Sequence, residues 1–90
     1  MSILKLAKTL PDGRIVSFHA PVELHLDVTT NHMQIVIESY ETEQSARNLG
    51  MSSAKSVVDV QLQDWKPEYA DKLLDFIIAD AAWKSATVLP

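Results

Sequence analysis

Apolar and polar residues alternate along most of the chain up to residue 63, and alternate residues of a strand face opposite sides of a sheet. In the first segment, Ile3–Leu10, Leu4, Leu6 and Leu10 fall on one side; Ile3, Lys5, Ala7 and Thr9 fall on the other. Lysines in such a segment suit an exposed or edge strand. Pro11-Asp12-Gly13 reads as a turn, because proline presets φ and glycine accepts positive φ. Arg14–His19 then returns as the second arm of a hairpin. Pro21 breaks the pattern, so a new strand is expected after it. There Val22, Leu24, Leu26 and Val28 point one way, and Glu23, His25, Asp27 and Thr29 the other.

Thr30-Asn31-His32 predicts a tight turn, since asparagine tolerates the left-handed region. Met33–Tyr40 follows as a strand rich in β-branched residues, with Ile35 and Ile37 on one face and Val36 and Tyr40 on the other. Two apolar faces predict a central position or a covered outer face. Glu41–Ser53 is the longest polar stretch and reads as a protruding loop with room for one helical turn at most. Ala54–Gln63 resumes as a strand, Val58, Val60 and Leu62 facing one way and Val57, Asp59 and Gln61 the other.

The period changes after Asp64. Pro67 suits the first helical position, and Glu68 and Asp71 complement the positive end of the helix dipole. Tyr69, Leu73, Phe76 and Ile77 then form an apolar stripe, widened by Ala70, Leu74, Ile78 and Ala81, with Trp83 near the helix end. The expected fold class is α+β: an antiparallel sheet of about five strands, flat or curled, packed against one C-terminal helix. The chain reads as a single domain over 1–90, with an N-terminal hairpin extension at 1–20 and a C-terminal tail at 85–90.

Composition narrows the functional classes. The 90 residues leave no room for a second core, and at 47% hydrophobic the chain has enough apolar content to fold. It has no cysteine, so disulfides and thiolate metal sites are excluded. A net charge of −4 with scattered lysines argues against a nucleic-acid partner, which needs a basic stripe. No apolar run approaches a membrane span, and the lysines within Ile3–Leu10 argue against a signal peptide. A cytoplasmic origin is expected.

Candidate chemistry is sparse. Glu23, His25 and Asp27 share one strand face and are the best candidate metal ligands. Same-face neighbours lie about 7 Å apart, too far to meet on one ion without help from His19 or His32. A solvated strand face is the favoured reading of them, and no metal or cofactor is assigned. No serine has a nucleophile-elbow context, and two glycines cannot build a phosphate loop. Trp65, Trp83, Tyr40 and Tyr69 suit interface anchoring or core filling; spacing places Tyr69 and Phe76 in the core.

One helix covers only about three strands' width. The apolar surplus at Leu4, Leu6, Val36, Val57 and the Val88-Leu89 tail must therefore be buried by sheet curling or by a second protomer. These residues, with Tyr40 and Arg47, are the candidate interface.

The segment Ile35-Val36-Ile37-Glu38-Ser39-Tyr40-Glu41-Thr42-Glu43-Gln44-Ser45-Ala46-Arg47 resembles part of small proteins encoded by tailed phages and prophages. In these a strand ends in Ser-Tyr, an acidic loop with an arginine follows, and a second strand precedes a tyrosine-containing helix and a terminal aromatic. Val57–Leu62, Tyr69–Ile78 and Trp83 fill the matching places, so the resemblance spans about residues 22–84. The hairpin Ile3–His19 is additional to it. The resemblance implies a non-enzymatic structural protein of a virion, in tail, baseplate or head, with homo-oligomeric and other virion partners. Two other readings stay open: a free-standing binding, adaptor or chaperone-like module, and a small metal-dependent enzyme using Glu23, His25 and Asp27.

Overall fold

In the computed structural model, which describes residues 2–90, the alternating segments do become strands. β1 (Ile3–Thr9), β2 (Ile15–Asp27), β3 (His32–Tyr40), β4 (Ala54–Gln61) and β5 (Thr87–Leu89) form one antiparallel sheet in the order β4-β3-β2-β1-β5. Gly13 adopts φ 93° in the β1–β2 turn, and Asn31 adopts φ 53° in the β2–β3 turn, as their residue types allow. Short helices complete the fold: α1 (Glu43–Arg47), a 3-10 helix (Pro67–Asp71) and α2 (Leu73–Ile78). No helix among the described residues is long and apolar enough to cross a membrane.

Five strands are present, but two of the expected boundaries move. The strands expected on either side of Pro21 are one strand, β2. Pairing with β1 stops at His19, so proline's missing N–H leaves no gap on that side. On the other side a bulge between Pro21 and Glu23 absorbs one extra residue against β3. The fifth strand comes instead from the tail, where Thr87, Val88 and Leu89 pair with Lys5, Leu4 and Ile3.

The single long helix is also corrected. The 3-10 turn ends at Lys72 (φ −118°, ψ 24°) and α2 starts afresh at Leu73. Trp65, Tyr69 and Phe76 form an edge-to-face chain with centroid separations of 5.8 and 5.3 Å. Seven residues of straight α-helix advance about 10.5 Å, so the kink at Lys72 brings Tyr69 onto Phe76. α2 stops before the expected Ala81 because the Asp80 carboxylate accepts the Ala82 N–H at 2.9 Å, an alternative to helical bonding. The following turns carry Trp83 back onto the sheet.

The sheet buries residues on both faces. Under α2, Leu4, Met33, Ile35, Ile37, Val58, Ile77 and Trp83 form the main core, with Leu6, Leu24 and Leu26 packed against it. On the opposite face Ile3, Ala20, Tyr40 and Ala46 form a second, smaller core bordered by Phe18 and Leu89. The segment read as a protruding loop therefore folds back: α1 presses Ala46 onto Tyr40. Thr42 caps this helix by accepting the Ser45 N–H at 3.2 Å, and Glu43 pairs with Arg47 one turn on at 3.2 Å.

Candidate functional site

The expected interface residues do not form one patch. Leu4 is corrected from surface to core: it is fully buried beneath the Trp83 side of the sheet, and Leu6 is partly buried beside it. Tyr40 is also fully buried, its hydroxyl donating to Glu38 Oε2 at 3.3 Å. Burial, then the Glu38 charge, raises the Tyr40 pKa. Arg47 lies on α1, held by Glu43. Val88 and Leu89 occupy the β5 edge, four strand spacings or about 19 Å from β4. Leu4 lies opposite Val88 across β1 and β5 but is itself buried; the pair left at the surface is Val36 and Val57, opposite each other across β3 and β4, with Val57 52% exposed.

Around that pair the outer face is polar. Glu23 stands opposite Val36, His25 opposite Gln34, Gln34 opposite Asp59, and Glu38 opposite Lys55. His25 Nε2 meets Glu23 Oε2 at 2.9 Å, and that bond chiefly lowers the Glu23 pKa. Asp59 Oδ1 accepts from Gln34 Nε2 at 3.0 Å and lies 3.5 Å from His32 Nε2. Lys55 Nζ lies 3.7 Å from Glu38 Oε1.

The three candidate metal ligands do not converge. Asp27 is engaged separately, its Oδ1 accepting the Thr29 N–H at 3.0 Å, while Glu23 and His25 pair with each other. Among the described residues no group of three or more His, Asp or Glu side chains is arranged to hold a metal ion.

A buried polar pair has no signature in the sequence. His19 Nε2 donates to the Leu6 carbonyl at 2.7 Å, so Nδ1 accepts the Ser39 hydroxyl, also at 2.7 Å. Trp83 packs its ring edge-on to the imidazole at 4.8 Å, and Lys8 Nζ sits 3.5 Å from the Trp83 ring centroid. Although serine and histidine are hydrogen-bonded, both are buried, and the second imidazole nitrogen is tied to backbone. The pair offers no nucleophile to a substrate. An open trough of about 560 Å³ lies between the Ala70–Asp75 segment, with Asp71, Lys72 and Asp75 on its wall, and Ser2, Pro21 and Val88 opposite.

The sheet edges differ in a way that bears on binding. β5 is only three residues long, and the half of β2 beyond His19 carries Pro21 and a bulge; each device discourages strand addition. β4 has none of these. It runs eight residues in unbroken register with β3, has no proline, and its inward side chains carry no charge. No family model matches the chain, and no curated protein or solved structure matches it.

Proposed function

We propose that this protein is a non-enzymatic structural component that works by joining other chains, in the tailed-phage particle that the Ile35–Arg47 segment implies. The observation that carries this reading is the long β4 edge, free of proline and bulges, with Val57 exposed beside it. Such an edge presents a row of backbone donors and acceptors, and strand addition satisfies them without any preformed pocket. The sparse chemistry supports the same reading: the buried Ser39–His19 pair is sealed, and the polar groups of the outer face are paired with one another.

Light scattering on the purified protein tests the assembly. The expected mass is a multiple of the 10.0 kDa chain mass. A mass that stays at 10.0 kDa over the accessible concentration range overturns the reading. For the particle, mass spectrometry of gradient-purified virions is expected to find the chain in fixed stoichiometry with the major virion proteins. Its presence only in the unbanded lysate counts against that setting.

A further inference from the structure

The ladder between β3 and β4 fixes which backbone groups of β4 remain free. The Leu62 N–H bonds the Asn31 carbonyl at 2.9 Å, and the register continues without a shift to Ser39 and Ala54. In an antiparallel ladder hydrogen-bonded residues recur every second position. Leu62, Val60, Val58, Ser56 and Ala54 thus direct their N–H and C=O groups to β3. Gln61, Asp59, Val57 and Lys55 direct theirs outward, and their side chains lie on the outer face.

On that face the spacing is Lys55-x-Val57-x-Asp59, with opposite charges placed symmetrically about an exposed valine. Lys55 is exposed at 60% and Asp59 at 57% of their side-chain surface. We propose that two copies of the protein join through β4, running antiparallel about a two-fold axis at Val57, so that their sheets merge into one. This inference rests on the assembly reading and names its partner as a second copy.

In this register Val57 meets Val57, and each Lys55 faces Asp59 of the second copy, twice by symmetry. The facing residues are those whose backbone groups are free, so each pair exchanges both of its hydrogen bonds. Opposite charges directly across a strand pair are favourable, and like charges are unfavourable. Moving the axis by one residue sets Val57 against Asp59 or against Lys55 and loses both ion pairs. Moving it by two sets Lys55 or Asp59 against itself. Only the axis at Val57 satisfies both the charges and the free backbone groups, and the interface is isologous, as two-fold symmetry requires.

Charge exchange tests the register. Lys55→Asp alone sets Asp against Asp, and Asp59→Lys alone sets Lys against Lys. Each single variant is expected to weaken dimerisation at least tenfold by analytical ultracentrifugation. An equimolar mixture of the two restores it, because each variant then supplies the charge the other lacks; this also shows that both variants are folded. The chain has no cysteine, so Val57→Cys introduces the only thiol. It is expected to form a disulfide-linked dimer under mild oxidation, whereas Lys55→Cys, displaced about 14 Å along the strand from its symmetry mate, is not. A wild-type oligomer that persists unchanged in both charge variants overturns the β4 register and leaves assembly standing. A wild type monomeric at every concentration overturns both.

Discussion

The imidazole of His19 closes the gap that a bulge opens at Leu6. Between Lys5 and Lys8 the β1 strand carries one residue more than β2 opposite it. This irregularity takes Leu6 out of the regular ladder, and His19 Nε2 donates to its carbonyl at 2.7 Å. Because that nitrogen keeps its proton and Nδ1 accepts from Ser39, the ring is held neutral.

A pH dependence follows. Burial lowers the His19 pKa from its ordinary 6.5; the nearby Lys8 charge acts in the same direction, while the bond to Leu6 opposes it. The unfolded chain therefore binds a proton more readily than the folded one as pH falls. Stability from this group is complete above about pH 6.5 and is lost as pH falls from there towards the lowered folded value. Urea unfolding between pH 8 and pH 5 is expected to show a falling midpoint across that window. His19→Gln is expected to flatten this slope, and an equal slope in the variant would assign the effect to other groups.

Ile77 is the fully buried residue through which α2 holds the main core. Ile77→Ala is expected to cost about 2–5 kcal/mol in denaturant unfolding. A cost under about 1 kcal/mol would mean that α2 contributes little to the core.

Ser56 faces the main core from β4, and its buried hydroxyl has no hydrogen-bond partner. Removing an unsatisfied buried polar atom relieves its desolvation, so Ser56→Ala is expected to stabilise the fold by about 1 kcal/mol. A loss of stability of similar size would reveal a bond made by that oxygen.

The tail is structural. Deleting residues 87–90 removes β5, opens the β1 edge and uncovers Ile3, which is fully buried in the intact fold. Losing one large apolar contact surface in this way is expected to cost about 1.5–3 kcal/mol. An unchanged thermal midpoint would contradict a supporting role for β5.

Local chemistry makes much of the sheet legible in the order of residues alone. Pro11-Asp12-Gly13 marks the first hairpin, Asn31 the next turn, and strict alternation places Val58, Val60 and Leu62 inward and Val57 outward. What fails depends on neighbours that local pattern does not contain. Pro21 reads as a strand break unless it is known that β1 no longer pairs at that point. Val88 and Leu89 lack the length for a periodic signal and become strand only because Leu4 and Ile3 lie beside them. The helix looks longer than it is because hydrophobic spacing is blind to the Asp80 carboxylate accepting the Ala82 N–H.

The site divides in the same manner. That Val57 lies outside among charges is readable, and the symmetric Lys55 and Asp59 are present in the string of residues. Their significance needs β4 to be an edge, and strand order is a property of the whole sheet. Leu4 misleads for a related reason: alternation separates its side from that of Ile3, but both sides of the sheet prove to be covered. The Ser39–His19 pair joins residues of two strands 20 positions apart and leaves no sequence spacing to find.

The extra residue at Pro21–Glu23 has a consequence for how the molecule comes apart. Before it, Phe18 and Ala20 face the α1 side of the sheet; after it, Leu24 and Leu26 face the α2 side. One continuous strand thus changes sides midway and anchors both cores. Loosening either core pulls on the backbone that anchors the other, so neither layer has a seam along which it can peel away. The small cluster under α1 is therefore not a detachable patch, and the 90 residues are built to melt as one cooperative unit.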